Sequence, residues 1–181
     1  MVESLGRVFA AVPVPGDARV DLSDRVSRME IPGRVVPAEN WHITLRFLGK
    51  VEPATCDRFL HGMSPLPDHG PFRLGLGEVG AFPNPRRAAV IWVGIKTGGE
   101  ELARLASVAE EAAEAAGLLA EERPFRPHLT LSRVRPPVDV GGLVGAEVGV
   151  GWRCDRVVVY RSVHGPGGAR YEPLETFELI R

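Results

Sequence analysis

Apolar and polar positions alternate along this chain in short runs cut by Gly and Pro, a pattern of strands joined by a few helices. RVFAAVPVP (7–15) reads as a strand ended by prolines. Gly16 and Asp17 then open a helix with Ala18, Leu22, Val26 and Met29 along one face. WHITLRFLG (41–49) is a strand closed by Gly49, and Pro53 begins a short helix carrying Phe59, Leu60 and Met63. FRLGLGEVGAF (72–82) is a Gly-rich strand, its glycines read as bulge or turn residues, followed by the turn FPNPRR.

The second half opens on the β run AAVIWVGIK (88–96), and Gly98 and Gly99 lead into a helix, EELARLASVAEEAAEAAG, stopped at Gly117. HLTLSRV, WRCDRVVVYRS and a segment near 171–180 read as strands, whereas 138–151 is Gly-rich and poorly patterned. Each half thus runs strand, helix, His-Thr strand, helix or loop, strand, which suggests an internal duplication. Strands without strict βαβ alternation point to an α+β fold with antiparallel sheets. No linker separates independent domains, so the expectation is a single domain over 1–181, with two lobes hinged near 83–87.

The matching points of the two halves are His-Ile-Thr-Leu at 42–45 and His-Leu-Thr-Leu at 128–131. Successive strand side chains point to opposite faces. Each tetrad therefore delivers an imidazole and a hydroxyl to one surface and anchors them with two aliphatic residues behind. With five histidines in 181 residues, two such coincidences are not accidental.

Displacement at phosphorus is roughly in line, with attacking and leaving oxygens on opposite sides. One imidazole can take a proton while the other gives one, because their ordinary pKa of about 6.5 allows both states near neutrality. Threonine hydroxyls can donate to the non-bridging oxygens. Other chemistries lack their parts. Neither tetrad has a third metal ligand at useful spacing, and no P-loop or G-x-S-x-G elbow is present. Cys56 and Cys154 are too isolated for a disulfide framework or a zinc site.

Composition narrows the partner. A formal net charge of −1 argues against a broad polycationic surface that grips long nucleic acid. The basic residues are nonetheless almost all arginine, with Lys50 and Lys96 the exceptions, and arginine presents a planar fork suited to phosphate. No 18-residue apolar stretch occurs, and the N-terminal apolar run is broken by Pro13 and Pro15. The expectation is a cytoplasmic protein with no membrane partner.

The two tetrads, with ENWHITLRFLGKV, VGAFPNPRRAAVIWVGI, RPFRPHLTLSRVR and YRSVHGPGGARYEPLETFEL around them, resemble the two-histidine (2H) phosphoesterases. They are most similar to the bacterial and archaeal RNA 2′,3′-cyclic phosphodiesterase branch, the LigT-like proteins also called 2′-5′ RNA ligases. The likeness runs from about Arg7 to Leu179. It implies a bilobal α+β fold, two pseudo-symmetric lobes with antiparallel sheets around a central cleft and helices outside. It also implies hydrolysis of RNA 2′,3′-cyclic phosphate ends, or of small cyclic nucleotides, to 2′-phosphates without metal or cofactor. His42 is then the proton donor to the departing 3′-oxygen and His128 the proton acceptor from water, with Thr44 and Thr130 on the phosphate. Run backwards, with a ribose 5′-hydroxyl replacing water, the same machinery joins RNA ends. A monomer is expected.

Arg133 matches a family arginine associated with substrate phosphate, but strand parity puts it on the face opposite His128 unless the strand bulges. Arg46 shares parity with His42 and is a candidate cleft residue. Arg126 lies on the His face and is a candidate RNA contact, and Phe47 and Phe125 are candidates for base stacking or core packing. His61, His69 and His164 have no Thr partner and read as surface residues. The alternatives are a phosphodiesterase for another small cyclic phosphate or a 2′-5′ oligonucleotide, or a catalytically silent module that binds RNA ends.

Overall fold

The computed structural model describes residues 4–180. In chain order the elements are β1 (Arg7–Pro13), α1 (Gly16–Ser27), β2 (Arg34–Val35), β3 (His42–Lys50), α2 (Pro53–Gly62), β4 (Phe72–Phe82), β5 (Ala88–Thr97), α3 (Gly99–Ala115), β6 (His128–Val138), β7 (Gly151–Cys154), β8 (Arg156–Gly165) and β9 (Gly168–Glu178). The strands form a sheet of order β7-β4-β5-β6-β3-β1-β8-β9, with the short β2 added to β6. Every pairing is antiparallel.

The order divides into two four-strand lobes, β7-β4-β5-β6 and β3-β1-β8-β9, which meet where β6 lies beside β3. The chain halves are not the lobes. β4 comes early in the chain yet pairs with β5, and β8 comes late yet pairs with β1. The first half thus sends β4 into the lobe of β5 and β6, and the second sends β8 and β9 into the lobe of β1 and β3, which ties the two into one body. Residues 83–87, expected to be the hinge, are instead the turn joining β4 to its partner β5 within one lobe.

The segment WRCDRVVVYRS, expected to be one strand, is two. β7 ends at Cys154 on the outer edge of one lobe, and β8 starts at Arg156 in the other. Periodicity cannot see this, because the pattern continues through Asp155 while the chain changes partners. The unpatterned stretch 138–151 runs along β4 as irregular backbone. The Val148 N–H donates to the Gly77 carbonyl at 2.9 Å and the Leu76 N–H to that of Val150 at 2.8 Å.

The helices cover the sheet with the faces their periodicity predicts. Ala18, Leu22 and Val26 of α1, Cys56 and Phe59 of α2, and Leu102, Leu105, Ala109 and Ala113 of α3 are buried. They join Ile43, Leu45, Leu129 and Leu131 in one apolar core. A Cβ at Gly62 would lie 2.8 Å from that of Ala112, so glycine there lets α2 and α3 approach closely.

Candidate active site

The core pins the tetrads together. Ile43 pairs with Leu129 across β3 and β6, and both are fully buried. In an antiparallel pair this register sets Thr44 beside His128 and Thr130 beside His42. All four polar side chains are half-buried on the cleft face.

Both imidazoles are oriented in the same way. His42 Nδ1 lies 2.7 Å from the Asn40 carbonyl, and His128 Nδ1 lies 2.7 Å from that of Arg126, each two residues upstream. A carbonyl only accepts, so each Nδ1 carries a proton, and the lone pair of the neutral ring is on Nε2. His42 Nε2 lies 3.0 Å from Thr44 Oγ1. Burial pushes the His42 pKa below its ordinary 6.5; the Asn40 carbonyl opposes this, while the positive charges of His128 and Arg133 add to it.

The effect of Arg133 on His42 follows from a bulge. On β6, Ser132 pairs with Ile91 and Thr130 with Trp92, leaving Leu131 without an opposite residue. On β3, Arg46 pairs with Ala10 and Thr44 with Ala11, leaving out Leu45. The extra residue resets the alternation at the same point of both tetrads. Arg133 and Phe47 consequently turn to the cleft side and are exposed, Phe47 by 59%.

Arg46 and Ser132 turn inward. This corrects the simple parity reading of both arginines. Arg46 does line the cavity beside Thr44, but as part of its wall: it is buried, ion-paired with Glu110, and donates to the carbonyls of Phe47 and Leu119. Ser132 Oγ donates to the Pro32 carbonyl at 2.6 Å.

Aromatic rings hold the imidazoles from the neighbouring strands. Phe9 and Tyr171 lie 4.9 and 5.3 Å from the His42 ring, Tyr171 edge-on. Phe82 stands edge-on to His128 at 5.2 Å, and Trp92 lies at 6.1 Å. A Cβ at Gly80 would fall 2.2 Å from the Trp92 ring, so that glycine admits the indole. Sequence reasoning missed these four rings, whose places depend on cross-strand register. It also missed Arg34, which pairs with Arg133.

A cavity of about 970 Å³ opens at His128 and Thr44. Phe47, Phe82, Phe125 and Arg126 line it, and its wall continues to Ser107 of α3. His61, His69 and His164 are exposed, as expected. Both cysteines are buried, and burial raises the thiol pKa of each, that of Cys154 to about 12. Among the described residues, no three His, Cys, Asp or Glu side chains cluster as metal ligands. No helix among them is long and apolar enough to cross a membrane.

Comparison with known proteins places the chain in a family. The model of the LigT-like phosphoesterase family matches the chain twice, over residues 12–92 and 93–171. An Archaeoglobus fulgidus RNA 2′,3′-cyclic phosphodiesterase is 33% identical over 95% of this chain and 99% of its own length. The Escherichia coli enzyme of the same name is 29% identical over 97% of each chain. Among solved structures, a Thermus thermophilus protein superposes with a TM-score of 0.81 at 29% identity, covering 96% of this chain and 97% of that one. Escherichia coli LigT complexed with ATP gives 0.78 at 26% identity, covering 99% and 100%. The same protein has also been solved with 3′-AMP and with phosphate.

Proposed function

Because the chain belongs to the LigT-like phosphoesterase family, we propose that it is an RNA 2′,3′-cyclic phosphodiesterase that opens the cyclic end to a 2′-phosphate by paired histidine acid–base catalysis. The observation that carries the reading is the Ile43–Leu129 register, which gives one cleft two imidazoles held at Nδ1 by backbone carbonyls, with the His42 Nε2 against Thr44 Oγ1.

In this reading His128 Nε2 takes the proton of the attacking water, and the water oxygen forms the new bond to phosphorus. The bond to the 3′-oxygen breaks, and His42 gives that oxygen its proton. Thr44 and Thr130 donate to the non-bridging oxygens, with the Arg133 guanidinium beside them to balance their charge. The lowered pKa of His42 leaves it neutral in the free protein near neutrality. A bound phosphate anion offsets the repulsion from Arg133, so the substrate itself favours the protonated acid. Arg126 at the cleft rim and Phe47 over it face the side of His128, opposite the departing 3′-oxygen.

Each step has its own group on the chain and requires no metal, and one chain supplies the whole site, in keeping with a monomer. An RNA substrate goes with a cytoplasmic location. Recognition of nucleotides and phosphate by the Escherichia coli relative supports the same substrate class.

The test is a short RNA with a 2′,3′-cyclic end, incubated in EDTA and analysed for its terminal isomer. A 2′-phosphate is expected. A 3′-phosphate would reverse which oxygen departs, and binding without turnover would leave a silent end-binding module.

A further inference from the structure

We propose that the cavity beside His128 is the subsite for the nucleoside that carries the 5′-oxygen, the acceptor when RNA ends are joined and the leaving group when a 2′-5′ bond is cut. This rests on the reading above and assigns a place that the hydrolytic reaction leaves to water. In an in-line displacement the entering and departing oxygens lie on opposite sides of phosphorus. The 3′-oxygen at His42 stays on the donor ribose, so whatever enters belongs to the side of His128. The cavity has that asymmetry, because His128 and Thr44 line it whereas His42, Thr130 and Arg133 do not.

Its size and chemistry fit a nucleoside better than a water molecule. About 970 Å³ lies at the upper end of small-ligand sites. Phe47, Phe82 and Phe125 offer aromatic faces, and Phe47 is exposed by 59% with nothing over it. Arg123 and Arg126 edge the cavity where the strand would continue past the acceptor. Two carboxylates share the wall: Glu110 is paired with Arg46, and Glu121 accepts from the Arg123 N–H, with the Arg123 and Arg126 side chains lining the same cavity.

In the joining direction His128 takes the proton of the 5′-hydroxyl, the 5′-oxygen bonds to phosphorus, the bond to the 3′-oxygen breaks, and His42 protonates the 3′-oxygen. In the cutting direction each transfer reverses, releasing a 2′,3′-cyclic phosphate and a free 5′-hydroxyl nucleoside.

Ser107 is an exposed residue of α3 that lines the cavity away from both tetrads, so Ser107→Trp fills the cavity without burying a new group in the core. Two reactions are compared in wild type and variant, with circular dichroism confirming the fold: hydrolysis of adenosine 2′,3′-cyclic phosphate, and cleavage of adenylyl-(2′→5′)-adenosine. The expected result is a loss of about tenfold or more in kcat/KM for the dinucleotide, with cyclic phosphate hydrolysis within about twofold of wild type. Phe125→Ala, which removes a stacking face, should show the same split. Equal losses in both reactions would put the donor nucleoside in the cavity, and no loss in either would leave the cavity unused; each overturns the proposal. Wild type that hydrolyses the cyclic phosphate but never cuts the dinucleotide overturns the subsite alone. Wild type that does neither overturns the proposed function and this inference with it.

Discussion

Ile43 on β3 sits opposite Leu129 on β6, both without solvent exposure, where the two lobes meet. That contact turns a repeated tetrad into one site. Because the strands are antiparallel, it crosses the partners, so that each histidine has the other tetrad's threonine beside it. The two imidazoles, one from each lobe, are therefore held where the lobes meet.

The pKa of His42 provides a titration test. Burial, His128 and Arg133 hold it low, so NMR titration of the free protein should place it below the ordinary 6.5. Arg133→Gln removes a positive neighbour and should move it upward, as should saturating phosphate. Stability follows by linkage. The unfolded chain binds more protons in the window between the lowered value and 6.5, so stability falls as pH drops through that window. His42→Gln should flatten that slope in denaturant titrations at stepped pH.

The two bulges make opposite forecasts for two arginines that strand parity misplaces. Arg133→Met should lower kcat/KM for a nucleoside 2′,3′-cyclic phosphate by about 10-fold or more, with little change in the melting midpoint. Arg46→Met leaves the half-buried Glu110 and the carbonyls of Phe47 and Leu119 without their partner and should cost stability, about 1–3 kcal/mol. Equal effects of both substitutions on stability and activity would contradict the bulge argument.

Gly80→Ala tests the aromatic support of His128. The new methyl would overlap the Trp92 ring, which must shift and disturb the packing beside Phe82 and His128. An overpacking cost of about 1–3 kcal/mol is expected, together with a fall in kcat larger than any rise in KM. Unchanged kcat would show that His128 needs no such support.

The fold class, the three helical faces and both tetrads were legible in the sequence because they are local. Ala18, Leu22 and Val26, or His42 and Thr44, reveal themselves by spacing alone. What depended on distant partners was not legible. Asp155 interrupts no pattern, yet the chain leaves one lobe there and enters the other. The turn at 83–87 follows a natural break in composition, but β4 and β5 pair across it. Leu45 and Leu131 read as ordinary members of alternating strands, and only their missing partners on β1 and β5 show that each is a bulge. Phe9, Phe82, Trp92 and Tyr171 came to the histidines through register, which no single strand encodes.

The most direct test is a double-mutant cycle on a nucleoside 2′,3′-cyclic phosphate, measured in EDTA with wild type, His42→Ala, His128→Ala and the pair. If the two imidazoles serve opposite sides of one phosphorus, each single change lowers turnover by about 10²–10⁴. The double change then costs far less than the product of the two. Full wild-type turnover in chelator, with a 2′-phosphate product, completes the expected result. Independent multiplying losses, or either variant retaining wild-type turnover, would contradict a shared site.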